Sequence, residues 1–280
     1  MVVLLALGSA VAYGFSDFIG GILARRARVF AVAVVGQTAS TAGTGVAALL
    51  FFTGEPATPD WVWGAVAGVG SGLGAVFLYR GLASGRMSVV APLSAVAAAL
   101  LPAVVGVISG ERPTIVTWLG VVCAFPAIWL VSRAAEEAPG DDRIGRAGVT
   151  DGLLAGLGFG SLFAALGQVD DASGLGPLAL AQATSVVAIV ALATGLRQPW
   201  LPRYRAEAAA SIAGLLGALA TSLFLLSTQS GLLTVAAVLA SLYPASTVLL
   251  AALLLHERIR GSQGVGLLLA GTAVALVAAG

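Results

Sequence analysis

Residues 84–124 read SGRMSVVAPLSAVAAALLPAVVGVISGERPTIVTWLGVVCA, and residues 230–270 read SGLLTVAAVLASLYPASTVLLAALLLHERIRGSQGVGLLLA. Aligned at an offset of 146 residues, both stretches begin with Ser-Gly, carry Glu-Arg after an apolar run and continue into a second apolar run. Between 84 and 131, 13 of 48 aligned positions are identical. Internal similarity of this extent indicates that the chain consists of two related halves.

A shorter match pairs polar residues that lie inside apolar runs. At an offset of 145, GQTAS matches AQATS, so Gln37 pairs with Gln182 and Ser40 pairs with Ser185. In each half the serine follows the glutamine by three residues, which places the two side chains on the same helix face. We expect these side chains to read a polar substrate or to form hydrogen bonds between helices.

The composition is that of a polytopic membrane protein. Hydrophobic residues make up 59% of the chain and charged residues 10%, and the mean hydropathy is +1.00. Soluble domains carry about 25% charged residues. One cysteine and one histidine exclude an internal disulfide and a His-pair zinc site. No nucleotide-binding motif or nucleophile–base set occurs, so we predict no enzyme activity, no cofactor and no nucleic-acid partner.

The apolar runs predict an all-α fold of ten transmembrane helices, because about 20 apolar residues cross a bilayer. The predicted spans are 2–24, 31–52, 61–79, 87–108, 115–132, 149–168, 177–196, 207–227, 232–255 and 262–279. The first run continues past GSAVA, which indicates a retained helix rather than a cleaved signal peptide. The domains are then 1–133 and 149–280, each a five-helix repeat, with a connecting loop at 134–148.

Arginine occurs almost entirely in the odd-numbered connections between these spans. Only Arg112 lies in an even one. The others are Arg25, Arg26, Arg28, Arg80, Arg86, Arg133, Arg143, Arg146, Arg197, Arg203, Arg205, Arg258 and Arg260. By the positive-inside rule the odd-numbered connections face the cytoplasm and both termini lie outside. We expect the protein to lie in the cytoplasmic membrane of a bacterium. Five spans per half is an odd number, so the repeats insert in opposite orientations, as in many secondary transporters.

Three segments resemble known family motifs. YGFSDF (13–18) resembles the opening of the first helix in the EamA branch of the drug/metabolite transporter superfamily, and SGERPT (109–114) and LHERIR (255–260) resemble its Gly-Glu-Arg turns. This resemblance implies a ten-helix transporter with a central cavity lined by helices 1–4 and 6–9 and with peripheral helices 5 and 10. It also implies cytoplasmic termini, which is the opposite of the orientation that the arginines predict.

Asp17 is a carboxylate inside the first apolar run. It precedes the arginine-rich end by about seven residues, or roughly 10 Å of helix. An acid at that depth costs at least about 2.5–3.5 kcal/mol unless it faces protein or a wet cavity. We therefore expect Asp17 to face the interior, where it exchanges protons, binds a cation or holds two helices together. Ser161 occupies the equivalent position in the second half, so this chemistry belongs to one half only.

Aromatic and small residues complete the predicted site and its surroundings. Tyr13, Phe159 and Tyr243 are expected to form aromatic cavity walls or to pack between helices. Three glycines of span 3 form a small-residue surface that predicts close helix contact, and span 8 carries a similar but smaller row of small residues. The glycines are Gly64, Gly68 and Gly72, and the row in span 8 is Ala210, Gly214 and Ala218. Glu111 and Glu257 are expected to cap helices.

Together these features predict a secondary active transporter that exports a small organic metabolite by alternating access. In one mechanism Asp17 couples transport to protons, and the amides of Gln37 and Gln182 recognise polar groups of the substrate. The alternative is an uncoupled facilitator or exchanger in which Asp17 is purely structural. The expected partners are a small-molecule substrate, the lipid bilayer and, in the coupled mechanism, protons. Both a monomer and a homodimer are compatible with the sequence.

Overall fold

The structure is a computed structural model that describes residues 1–50, 54–83, 87–132, 142–254 and 261–279. Within these ranges every regular element is a helix. The first half contains α1 (Val2–Ala24), α2 (Val29–Leu50), α3 (Thr58–Ala83), α4 (Met87–Ile108) and α5 (Ile115–Ser132). The second half contains α6 (Asp142–Leu166), a 3-10 turn (Asp171–Ser173), α7 (Gly176–Gly195), α8 (Arg205–Ala208), α9 (Ala210–Thr228), α10 (Leu233–Ala240), α11 (Tyr243–Leu254) and α12 (Gly261–Ala279).

Six helices among the described residues are long and apolar enough to cross a membrane. They are α1, α2, α3, α7, α9 and the Gly148–Leu166 part of α6. Shorter apolar stretches follow at Ser94–Ile108, Ile115–Leu130, Leu233–Thr247 and Gly264–Ala279. Large apolar side chains are exposed around the bundle, among them Leu4, Leu49, Leu153, Leu219 and Leu268. An exposed apolar surface of this kind suits lipid, and the chain is a multi-pass membrane protein.

Three elements differ from their sequence-based prediction, and in one of them the predicted span 207–227 is divided between α8 and α9. The predicted span 232–255 is broken, because α10 ends at Ala240 and α11 begins at Tyr243. Pro244 has no backbone N–H, so the carbonyl oxygen of Ala240 has no donor four residues ahead and the helix is interrupted. The sixth helix begins at Asp142, inside the predicted connection 134–148. Residues 134–141 of that connection, residue 133 before it, and the turn at 255–260 with His256 and Glu257 lie outside the described residues.

Helices of one half pack mainly against helices of the other half. Each of these contacts has a counterpart in which the equivalent helices of the two halves have changed places. α1 packs on α9 and α11, while its counterpart α6 packs on α3 and α4. α2 packs on α9, while its counterpart α7 packs on α3. The remaining large contacts join equivalent elements to each other, namely α2 with α7, α4 with α10 and α5 with α12. The two halves are therefore related by a pseudo-twofold arrangement around α2 and α7.

Small residues allow the closest of these contacts. Gly64 and Gly68 of α3 lie against α7, where the carbonyl oxygens of Pro177 and Ala181 occupy the space that a Cβ would need. Gly72 continues the same row one turn later against Ser185. The small-residue surface of span 3 thus brings the backbones of α3 and α7 together, as a glycine-rich helix face does in membrane proteins.

The second half contains the matching contact. Gly214 of α9 lies against the backbone of Gly36 in α2, whose carbonyl oxygen occupies the place of a Cβ on Gly214. Gly214 is the repeat equivalent of Gly68 at the offset of 146, and Ala181 is the equivalent of Gly36 at the offset of 145. The same crossing therefore occurs twice, once on each side of the pseudo-twofold axis.

Candidate functional site

A cavity lies between the two halves, where α1, α2 and α3 face α6, α7 and α9. The empty space within its walls is about 520 Å³ when the part open to solvent is included. The lining residues are Tyr13, Ser16, Asp17, Ala33, Gly36, Gln37, Ser40, Ser71, Ala75, Leu78, Tyr79, Phe159, Leu162, Gln182, Ala213, Gly214, Gly217 and Thr221. Each half contributes three helices, so the cavity straddles the pseudo-twofold axis.

Asp17 lines this cavity from the middle of α1. Its neighbours in the helix are fixed by close contacts, since Gly14 lies against Ser246 of α11 and Gly20 lies against the ring of Tyr79. A side chain at either glycine would push α1 away from these partners. Tyr13, Tyr79 and Tyr243 all lie near enough to Asp17 to interact with it electrostatically. The carboxylate thus points toward a protein-enclosed space rather than toward lipid.

The two glutamines of the repeat make matching hydrogen bonds. Gln37 Nε2 donates to Ser71 Oγ of α3 at 3.1 Å. Gln182 Nε2 donates to Thr221 Oγ1 of α9 at 2.9 Å. In both halves, therefore, the glutamine bonds to a hydroxyl on the next long helix of its own repeat. This bond uses one of the two Nε2 hydrogens, so the Oε1 atom remains available to a ligand as an acceptor and the second Nε2 hydrogen as a donor.

The aromatic wall is built from both halves. Tyr13 packs edge-on against Phe163, with ring centroids 5.8 Å apart, and its centroid lies 6.3 Å from that of Tyr243. Its hydroxyl is buried without a hydrogen-bond partner in the described part of the chain. Phe159 reaches the cavity across Gly74, which it contacts closely. A buried unpaired hydroxyl is costly, so the Tyr13 oxygen is a site that a ligand or water can satisfy.

The cavity lining includes six of the eight residues that the sequence predicts for the site, and Ser185 and Tyr243 are not among the lining residues. Ser185 Oγ donates to the carbonyl oxygen of Gln182 in its own helix, at 2.6 Å. The hydroxyl of Tyr243 bonds to Ser94 Oγ of α4 at 3.0 Å, and its ring backs Tyr13. Tyr243 therefore supports the aromatic wall from behind.

The family comparison follows the same division into two halves. The sequence profile described as the EamA-like transporter family matches residues 1–133 and 146–279, which together make up nearly the whole chain. The chain belongs to the EamA-like transporter family. The resemblance of its short motifs to the EamA branch of the drug/metabolite transporter superfamily is thereby confirmed.

One solved structure extends the comparison to three dimensions. It is titled "Crystal structure of protein", shares 16% sequence identity and superposes with a TM-score of 0.65. The alignment covers 95% of this chain and 98% of that chain, so the EamA-like fold is common to both along their length. Among curated proteins, none matches this sequence significantly.

In this EamA-like transporter, four polar lining residues escaped the sequence analysis. They are Ser16, Ser71, Tyr79 and Thr221. Ser71 lies in the glycine-rich span that predicts only helix contact, and Tyr79 lies beside Arg80 at a predicted helix end. The two glutamines could have indicated that polar partners such as Ser71 and Thr221 exist, because a membrane-buried amide needs a hydrogen-bond partner on a neighbouring helix. The described residues hold no group of three His, Cys, Asp or Glu that could bind a metal.

Ion pairs join the halves at one end of the bundle, here called the arginine end. Arg28, after α1, donates to the carboxylate of Glu207 in α8 through Nε at 2.7 Å and through Nη2 at 2.9 Å. Arg80, at the end of α3, pairs with Asp151 of α6. Ala24 of α1, Leu82 of α3 and Ala155 of α6 belong to one apolar cluster.

Glu207 is fully buried and accepts from four donors. Besides the two Arg28 bonds, it accepts from the backbone N–H groups of Arg203 and Tyr204 at 2.6 and 3.1 Å. The Arg28 guanidinium lies over the Tyr204 ring at 5.3 Å. The hydrogen bond from Arg28, followed by the backbone bonds, lowers the pKa of the Glu207 carboxyl to about 2 against the opposing effect of burial.

Carboxylates bound by backbone amides join the halves at the opposite end, here called the acid-capped end. Asp60, in the first turn of α3, accepts from the Asp170 N–H at 3.0 Å and from Ser173 Oγ at 2.8 Å. Glu111 accepts from the Thr234 N–H at 3.0 Å and also from the Leu233 N–H, at the start of α10. Glu111 thus caps a helix of the other half, since it supplies the acceptor that a helix N-terminus lacks.

Proposed function

We propose that this EamA-like protein is a secondary transporter that moves a small organic metabolite out of the cell by alternating access. The observation that carries this proposal is the cavity shared by the halves, with three helices from each and the Asp17 carboxylate in its wall. A site between repeats is where secondary transporters bind their substrates. Rocking one half against the other would expose this cavity first to one side of the membrane and then to the other.

The proposed topology has ten spans in two inverted repeats. Two observations support it. The helix contacts repeat when the halves are exchanged. The ion pairs of the arginine end join residues that lie in or next to odd-numbered connections, and the carboxylate caps join residues that lie in or next to even-numbered ones. An odd number of spans per half would make equivalent ends of the repeats fall on opposite sides of the membrane.

The proposed orientation places the arginine end in the cytoplasm and both termini outside. We expect a C-terminal reporter that is active only in the cytoplasm to be silent when fused to the full-length protein. The same reporter inserted in the odd-numbered connection after α7, at Gln198, should be active. A C-terminal fusion with full activity would contradict this orientation and leave the fold unaffected.

Transport itself is testable in proteoliposomes. A thermal-shift screen of the purified protein against amino acids, amines, nucleosides and sugars would identify a ligand. We expect vesicles that contain the protein to exchange that ligand in labelled form across the bilayer faster than protein-free vesicles. Failure to move any ligand that stabilises the protein would contradict the transporter proposal.

Proton coupling is a separate expectation that rests on Asp17. Addition of substrate to wild-type vesicles that enclose a pH-sensitive dye should change the internal pH, because the carboxylate alternates between proton and substrate. We expect Asp17→Asn to abolish this proton movement while the protein remains folded. Asp171→Asn, which removes an exposed carboxylate outside the cavity, is the matched control. Substrate movement by the wild type without any pH change would favour the uncoupled exchanger.

A further inference from the structure

The charge inside the cavity is the starting point for the class of substrate. Among the described residues that line it, Asp17 is the only one with a charged side chain, and none is basic. Arg28 and Arg80 lie at the arginine end, where each is paired with a carboxylate of the other half. The described lining therefore offers one negative charge and no basic side chain to balance it. An unbalanced carboxylate in a low-dielectric site favours a positively charged ligand.

The neutral polar groups of the lining supply several hydrogen-bond acceptors. Gln37 and Gln182 each donate one Nε2 hydrogen, to Ser71 and Thr221 respectively, and their Oε1 atoms remain as acceptors. Ser16 Oγ donates to the carbonyl oxygen of Ala213 at 2.9 Å, so its hydrogen is also used. This set of acceptors fits a ligand that brings several N–H donors, which is the pattern of an ammonium group.

The apolar part of the wall is aromatic. Tyr13, Tyr79 and Phe159 line the same cavity as Asp17, and Tyr13 contributes a buried hydroxyl without a partner. Aromatic faces attract cations through the negative potential of their π-electrons, and more strongly in a site removed from water. Such rings also accommodate the hydrocarbon part of an organic ligand, so the wall suits a molecule with a cationic head and an apolar body.

We propose that the substrates are organic amines that bind as monovalent ammonium ions and carry no carboxylate. The inference rests on the transporter function proposed above and narrows its substrate class. Asp17 would bind the ammonium group, the glutamine Oε1 atoms would accept its remaining hydrogens and the aromatic wall would hold the hydrocarbon body. A ligand carboxylate would meet the negative charge of Asp17 with no basic side chain to pair with, which excludes amino acids and organic acids.

Matched ligand triads test this proposal on the wild-type protein in detergent. Each triad contains an amine, the amino acid that has the same side chain and the corresponding alcohol. The probes are phenethylamine, phenylalanine and 2-phenylethanol; tryptamine, tryptophan and tryptophol; and isobutylamine, valine and isobutanol. We expect calorimetric titration to show that at least one amine binds at least about tenfold more tightly than both of its partners. If no amine binds, or if an amino acid or alcohol binds as tightly as its amine, the proposal is overturned.

The Asp17→Asn variant assigns the preference to the carboxylate. We expect it to weaken amine binding by at least about tenfold and to remove the advantage of the amine over the alcohol. Asp171→Asn should retain the wild-type preference, since that exposed residue lies outside the cavity. An Asp17→Asn protein that melts like the wild type and keeps the amine preference would overturn the assignment. Efficient transport of an amino acid by the wild type would refute the amine class and leave the transporter proposal standing.

Discussion

Replacing Gly214 with alanine is expected to destabilise the protein by about 3 kcal/mol or more. The added Cβ would coincide with the carbonyl oxygen of Gly36 in α2, which is backbone and cannot move away as a flexible side chain does. Relief requires α9 to move away from α2, and this opens the crossing beside the cavity. Denaturant unfolding in mixed micelles, followed by circular dichroism, would measure the loss. Gly68→Ala should behave similarly because the contact recurs with Ala181.

Gly45→Ala is the matched control for this experiment. Gly45 lies in the same helix as Gly36, but no atom lies within 4 Å of the position of an added Cβ. Alanine is a better helix former than glycine by about 0.8–1 kcal/mol, so this substitution should be neutral or stabilising. A decrease in the free energy of unfolding for Gly214→Ala, together with no decrease for Gly45→Ala, would show that the loss comes from the contact between α2 and α9. Equal effects at both would show that the close approach of α2 and α9 does not hold in the membrane protein.

Replacing Glu207 with glutamine is expected to cause the largest loss of stability at the arginine end. An amide retains one acceptor oxygen where the carboxylate serves four donors, and it leaves the Arg28 charge without its partner. Removing one member of an enclosed ion pair is more harmful than removing both. The melting temperature at pH 7 should therefore fall, whereas Glu55→Gln, at an exposed position, should leave it unchanged.

The pH dependence separates this ion pair from a simple packing effect. The pKa of Glu207 falls from 4.5 to about 2 on folding, so the ionised group stabilises the folded state fully above about pH 4.5. That contribution is lost as the pH decreases from 4.5 to 2. We expect the difference in melting temperature between wild type and Glu207→Gln to shrink over this window. A difference that stays constant from pH 7 to pH 3 would contradict the role of the charge.

The internal repeat made the architecture predictable from the sequence. The pairing of Gly68 with Gly214 and of Gln37 with Gln182 corresponds to contacts that recur on both sides of the pseudo-twofold axis. The break in the ninth predicted span was less predictable. Pro244 weakens the helix that contains it, but neighbouring helices often supply partners for the backbone groups that a proline leaves free in a membrane helix. The sequence therefore did not establish that α10 and α11 would be separate helices.

The cavity lining was only partly predictable, because lipid-facing and interior-facing positions of a membrane helix are both apolar. Periodicity therefore gave no reason to single out Ser71 or Tyr79. Asp17 and the glutamines stood out because their burial requires protein or water around them. Ser185 was predicted to face the site, but a serine in a helix can bond to its own backbone, as the contact with Gln182 shows. The side chain then needs no other partner.

Ion pairs join the halves at the arginine end, whereas carboxylates bound by backbone amides join them at the acid-capped end. Dissolved salt affects these two kinds of interaction differently. The side chain of Arg80 is 46% exposed, so its attraction to Asp151 is subject to screening by the surrounding electrolyte. Asp60 and Glu111 are held by hydrogen bonds from backbone amides, and these depend little on ionic strength. Raising the salt concentration is therefore expected to weaken the Arg80–Asp151 pair while it leaves the amide-bound carboxylates of the opposite end nearly unaffected.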